Sequence, residues 1–515
     1  MDATVPRDLS STLDGQDSMP PEASNCGSRD RPSVERSSSN SATSSAAGSA
    51  DRLARGLVML ARPVLCAVLL LAAGCPLDSA GKGQTTGMPV EPIASGTSSA
   101  SASTGGTSPV GSDSADGHDG SGPTSTTGPS GSSTGEPEDD ALRAYFGTFA
   151  ASASEGIESV TGVGFEPRAV LLWVTEHQAG GWIQGARFGR GWSDGEHQGA
   201  VATAWGDGSN ATQSLWSQEH CVVLVDEQGA VLAAAAVASF DPDGFSLQWS
   251  TPGAGRRVAF LALGGPIQAR VGNLSLSLPT EVVDTVGFSA QVVLFAGVTV
   301  ASAGSDPNGG HGFGVAVPDG STHSSAHYER NNGNGTSGLA EGVAMITAAE
   351  APPPVESYTL SGVDSRGFAL ERETGSGAIG TTWLAIGGVS ASAGVITQPG
   401  VAGPQSVPLG FEPAVVMFDG GDKVEEWAEE PELVHGVAVG VGSQGAAWIG
   451  REGDMTRSAW DLQRALVSFD AGEFMPRAEA TIAMVGPAGF SIDWSAVDDV
   501  ERRIGWLALG SGPPD

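Results

Sequence analysis

Glu371 and Glu373 are the residues of this chain whose types and spacing come nearest to catalysis. They stand two apart in the alternating segment GFALERET, so a strand carries both carboxylates on one face, as β-sandwich glycosidases carry an acid and a nucleophile. Two sister segments described below have Gln248 with Ser250 and Asp493 with Ser495 instead, and a solvated strand face accounts for the pair equally well. Asp241-Pro242-Asp243-Gly244 opens like a calcium loop, in which alternate carboxylates converge on a cation. Its sisters, Asp364-Ser365-Arg366-Gly367 and Gly486-Pro487-Ala488-Gly489, lose the carboxylates and keep the glycine, which is the pattern of a turn.

His323 and His327 would meet one metal ion on a helix, but on a strand or loop that spacing brings no ligand set together. His311-Gly312 and His435-Gly436 align as equivalents between two copies, with Gln184-Gly185 in the first. The acidic run from Asp419 to Glu432 reads as a solvated loop. HExxH, GxSxG, P-loop and Cys–His patterns do not occur, so the expectation is no catalytic residue, no cofactor and no metal. Trp182, Trp192, Trp205 and Trp216 fall in Gly-rich segments and have no counterparts in the other copies. They are therefore the candidates for stacking on a sugar or gripping a partner protein.

These residues belong to three copies of one unit. Three landmarks recur in step. A Gly-Phe opens an apolar run at Gly164, Gly287 and Gly410; a second Gly-Phe opens an alternating tail at Gly244, Gly367 and Gly489; and FLALGG, WLAIGG and WLALGS close the copies at Gly264, Gly387 and Gly510. The spacing of 122 to 123 residues is that of whole domains rather than solenoid repeats. The boundaries are 142–264, 265–387 and 388–515. Short apolar segments between Gly, Asp, Asn and Ser turns, without a sustained helical period, predict an all-β fold of three tandem β-sandwich or jelly-roll-like domains. Phe245, Leu247 and Trp249 should share an inner face. Trp249 with Trp494, and Phe260 with Trp383 and Trp506, recur at fixed places and should be core. Three such domains can form a line or a closed pseudo-threefold head, and both arrangements remain open.

Ahead of the copies, DRLARGLVMLARPVLCAVLLLAAGC has a basic lead and an apolar run that ends at Cys75. About ten apolar residues suit a signal peptide and are too few to span a bilayer. The ending LAAGC resembles the lipobox of bacterial lipoproteins, with Ala72 where that pattern prefers Leu. The resemblance implies lipidation of Cys75, a membrane anchor, and placement in the cell envelope at the outer membrane or cell surface. Met59 would open a signal of ordinary length, so residues 1–58 read as a disordered extension or a misassigned start and 59–75 as the signal. Residues 76–141 are rich in Ser, Thr and Gly and cannot bury a core. They form a tether about 45 Å long on average and about 215 Å when extended.

The net charge of −34, with Lys82 and Lys423 the only lysines, argues against nucleic acid, whose phosphates require clustered cations. If the chain is cut at Cys75, only Cys75 and Cys221 of the four cysteines survive, so the domains must be held by their cores. The combination GFxPxAV early, then FDxDGFxLxW and LALGG late, resembles a repeated β-domain of uncharacterised bacteriophage structural proteins and bacterial exported proteins. That resemblance implies a structural or binding role without catalytic residues. The expectation is a surface-displayed, lipid-anchored, non-catalytic binding or structural protein with a glycan or protein ligand. A phage-type assembly component and a glycan-active β-sandwich enzyme stand beside it as alternatives.

Overall fold

The computed structural model describes residues 141–512, apart from 178–180, 207–210, 301–302, 308, 330–334, 348–355, 424–431, 453–454 and 471–474. The signal segment, Cys75 and the Ser/Thr/Gly-rich stretch lie outside the described residues. All described residues fall in one compact unit, Pro123–Asp515. Every regular element among them is a β-strand, paired antiparallel.

The same two-layer arrangement occurs three times. In repeat 1 the large sheet has the order Arg143–Ala150, Arg257–Gly264, Ala169–Thr175, Ala186–Ser193, Gln198–Trp205, Thr212–Ser217. A four-stranded sheet packs over it in the order Gly156–Thr161, Gly244–Thr251, Val231–Asp241, Val222–Val225. Repeats 2 and 3 reproduce both orders.

The apolar runs after the first Gly-Phe are continuous because both faces of the large sheets are covered. Within AVLLWVT, Val170, Leu172 and Val174 pack beneath the small sheet of repeat 1, while Ala169, Leu171 and Trp173 point into a second core. Val293 with Phe295, and Val416 with Phe418, pack under the other two small sheets. Val292, Leu294, Val415 and Met417 join the second core. That core belongs to all three repeats at once, so the large sheets surround a common axis. Phe245, Leu247 and Trp249 are buried on the inner face of their small sheet, as their alternation predicts.

The landmarks recur because they touch one another. Phe165, Phe288 and Phe411 of the opening Gly-Phe pairs lie against Gly264, Gly387 and Gly510 of the closing strands, where a Cβ would strike the ring. Gly244, Gly367 and Gly489 press on the backbone carbonyls of Val160, Val283 and Val407. A side chain at any of these places would displace the packed ring or push the neighbouring strand of the small sheet away.

The repeats also exchange strands around the axis. Gly304–Pro307 of repeat 2 adds a seventh strand beside Thr212–Ser217 of repeat 1, and Gly181–Gln184 of repeat 1 adds one beside Met455–Asp461 of repeat 3. Repeat 3 reaches repeat 2 where Val389–Thr397 packs on Thr322–Glu329. Each repeat thus contacts both others, and the closed pseudo-threefold arrangement is the one adopted. Ser214, Ser337 and Ser458 hold equivalent ladder positions on the receiving strands and are all buried. Ser214 Oγ donates to Gly310 O at 3.3 Å and accepts from Gly310 N at 3.1 Å. Ser337 Oγ accepts from Glu432 N at 3.0 Å, and Ser458 Oγ donates to Gly185 O at 3.3 Å. Ser214→Ala removes the partner of both Gly310 backbone bonds, and a loss of about 1 kcal/mol is expected in urea unfolding.

The three contacts are shaped individually. Gly199, His323 and Gly445 are equivalent by register. Gly199 leaves room for Thr382 and Asn273 of repeat 2, and Gly445 for Phe146 of repeat 1. At the third contact the sizes are reversed: His323 is the large partner and Gly505 of repeat 3 the small one. Cys221 is a free, buried thiol, and burial pushes its pKa up to about 12, which leaves it unreactive.

Candidate functional site

The chemically distinctive part of the molecule is a polar layer inside the shared core. The ladder registers make Arg190, Phe313 and His435 equivalent, and likewise Trp173, Ala296 and Asp419. These six positions face the common axis, one pair from each repeat. The pairing corrects the alignment of His311 with His435: His311 corresponds to Phe188 and Leu433.

Arg190 is 3% exposed and Asp419 1%. Arg190 Nη2 donates to Asp419 Oδ1 at 3.4 Å and also to Nδ1 of His435. The guanidinium lies 3.9 Å from the centroid of the Phe313 ring, a cation–π contact across repeats. Ser325 Oγ donates to Asp419 Oδ2. Phe188 stacks on His435 at 4.8 Å, and Trp205 sits 4.4 Å from His327. The layer therefore joins an arginine from repeat 1, a phenylalanine, a serine and three histidines from repeat 2, and an aspartate and a histidine from repeat 3.

Burial governs the charge states. Burial pushes the Asp419 carboxyl up to about 7, although Arg190 and His323 pull it down. Burial lowers Arg190 to about 10 against the pull of Asp419. His311 and His435 are held well below the usual imidazole range by burial and then by the Arg190 charge. His323 is lowered to about 4 by burial, with Asp419 opposing. His177 is likewise lowered to about 4, although its Nε2 lies 2.9 Å from Ser458 O across the contact between repeats 1 and 3.

Neither ring nitrogen of His311 or His323 has a hydrogen-bond partner among the described residues. Among the described residues no three His, Cys, Asp or Glu side chains converge in a way that could hold a metal ion. Groups this deeply enclosed are out of reach of a substrate in solution, so their arrangement serves the joining of the repeats.

Of the four tryptophans expected to contact a ligand, Trp192 and Trp205 are 0% exposed and Trp216 3%. All three pack in the core common to the repeats, which corrects the expectation of a surface role. Trp192 Nε1 donates to Thr382 Oγ1 of repeat 2 at 2.9 Å, and the Trp216 ring covers Gly380. Trp192 and Trp205 lack tryptophan counterparts, but Trp216 holds the ladder position that Trp460 holds in repeat 3, which corrects its reading as a residue without one. Trp182 lies on the exchanged strand and its backbone pairs with Ala459 of repeat 3; its side chain lies outside the described residues.

Glu371 and Glu373 are both exposed on one strand face. Asp241 accepts from Ser239 and Ser246, and Asp243 accepts from the Gly162 and Gly164 amides, so the resemblance to a calcium loop resolves into turn contacts. Asp419, read as part of a solvated loop, is instead buried in the strand Pro413–Lys423.

The sequence signal for the polar layer lies in the aligned endings VLLW, VLFA and VMFD, where an aspartate stands at a core position. Comparison with protein-family models, curated proteins and solved structures finds no match.

Proposed function

We propose that this chain is an exported, lipid-anchored, non-catalytic binding or structural protein of the cell envelope, a threefold β-head carried on a Ser/Thr/Gly-rich tether. The observation that supports this reading best is where the chain enters and leaves the head. Leu142 N donates to Ser511 Oγ at 3.1 Å, so the first and last strands meet. The junctions between repeats lie at corresponding strand ends, since Arg143 pairs with Gly264, Gln268 with Gly387 and Val389 with Ser511. The chain thus enters the head, passes between repeats and leaves it at one end of the large sheets. Anchoring through one lipid-bearing residue suffices when that residue carries more than one acyl chain.

The test is metabolic labelling of the full chain with a clickable fatty acid in a bacterial host. Label on the wild type and none on Cys75→Ser, with the variant moving from the membrane to the soluble fraction, is the expected result. Equal labelling of the two chains would overturn the anchor.

A further inference from the structure

We propose that the polar layer is an acid-sensitive lock on the head: neutral histidines let the three repeats close on one another, and protonating them drives the repeats apart. The geometry that carries this is the burial of His311, His323 and His435 within a core built by all three repeats, where Arg190 donates to both Asp419 and His435, each of them no more than 5% exposed. The repeats themselves supply the comparison. Where repeat 2 has His311 and His323, repeat 1 has Phe188 and Gly199, and repeat 3 has Leu433 and Gly445. The strands accept apolar or small residues at these positions, so the fold itself does not require imidazoles there.

A charged imidazole in this layer would meet the fixed charge of Arg190 and find few acceptors. The facing groups are Arg190 from Ala186–Ser193, Arg257 beside His177 from Arg257–Gly264, His327 beside His311 and His435 from Thr322–Glu329, Asp419 from Pro413–Lys423, His435 from Glu432–Val439, and Glu341 from Thr336–Glu341, which is already paired with Arg503. His177 adds a buried imidazole where repeat 1 meets Ser458 of repeat 3.

The sign of the effect follows from the protons exchanged on opening. His177, His311, His323 and His435 are all lowered in the closed head, so below about pH 6.5 each takes up a proton when released. Asp419 opposes them, because its closed-state value of about 7 means that it gives up a proton on opening between about pH 4 and 7. The net uptake is about two to three protons. The opening equilibrium should therefore shift toward the open form on the order of a few hundredfold over the pH unit from 6 to 5.

The experiment follows the urea midpoint of the full chain by near-ultraviolet circular dichroism at pH 7, 6 and 5, for wild type and for His311→Leu with His323→Gly. The double variant takes the residues that repeat 3 carries at those places. A wild-type midpoint that falls with acid, and a clearly smaller fall in the variant, is the expected pair. A midpoint that does not fall from pH 7 to 5 in the wild type, or falls equally in both chains, overturns the proposal. Should the variant fail to fold, the wild type still decides: the pH slope of its opening constant between pH 6 and 5 must report a net uptake of about two to three protons, and a smaller uptake rejects the lock.

Discussion

At pH 9, replacing Arg190 by Met should lower the stability of the head by about 3 kcal/mol, because the Asp419 carboxyl, already raised to about 7 by burial, must then stay buried without its cation or hold a proton about two pH units above that value. Asp419 has no exposed route to solvent at 1% exposure. Its remaining neighbours, Ser325 and His435, cannot supply a fixed charge. The second half of the prediction is sharper. Arg190→Met combined with Asp419→Leu should recover most of the loss, since a buried ion pair exchanged for packed apolar groups is often neutral or stabilising. Repeat 2 already carries Phe313 and Ala296 at the equivalent places. Urea unfolding of the two single variants and the double variant forms a mutant cycle. Additive losses would mean that the two side chains do not depend on one another.

Gly314→Ala should cost about 3 kcal/mol or more. Gly191, Gly314 and Gly436 are equivalent by register, and each lies where the large sheet closely approaches the chain that enters the last strand of the small one. Their facing atoms are the backbone carbonyl oxygens of Cys221, Ala344 and Ala465. A methyl group at Gly314 would overlap the Ala344 oxygen, which no side-chain rotation can move aside, so the layers themselves must separate. Gly442→Ala, at a site with nothing within 4 Å, should change stability by less than about 0.5 kcal/mol. Equal unfolding midpoints for the two variants would contradict the close packing of the layers.

What the sequence disclosed was whatever repeats locally. The period-two pattern of GFSLQW gave the inner face of the small sheet, whereas the apolar run AVLLWVT indicated a strand without saying that both its faces are covered. The common core escaped such reading because it forms from three copies at once. Trp192 and Trp205 looked like surface residues since the other copies lack them, yet contacts between unlike repeats can be filled by unlike side chains; Trp216 has its equivalent in Trp460, which only the ladder register discloses. His323 against Gly505, and Gly199 against Thr382, show the same compensation: neither member is informative without its partner more than a hundred residues away. Asp419 was hidden by its neighbours, since DGGDK reads as a turn until the register with His435 places it in a strand.

The central claim, that three repeats make one closed body with a shared core, is tested most directly by hydrogen exchange on the full chain across a urea series, read peptide by peptide. The equivalent strands Ala169–Thr175, Val292–Val298 and Pro413–Lys423 should lose protection at one common urea concentration, because each contributes one face to the same core. Three separate midpoints, one for each repeat, would contradict it and return the molecule to independent domains on a string.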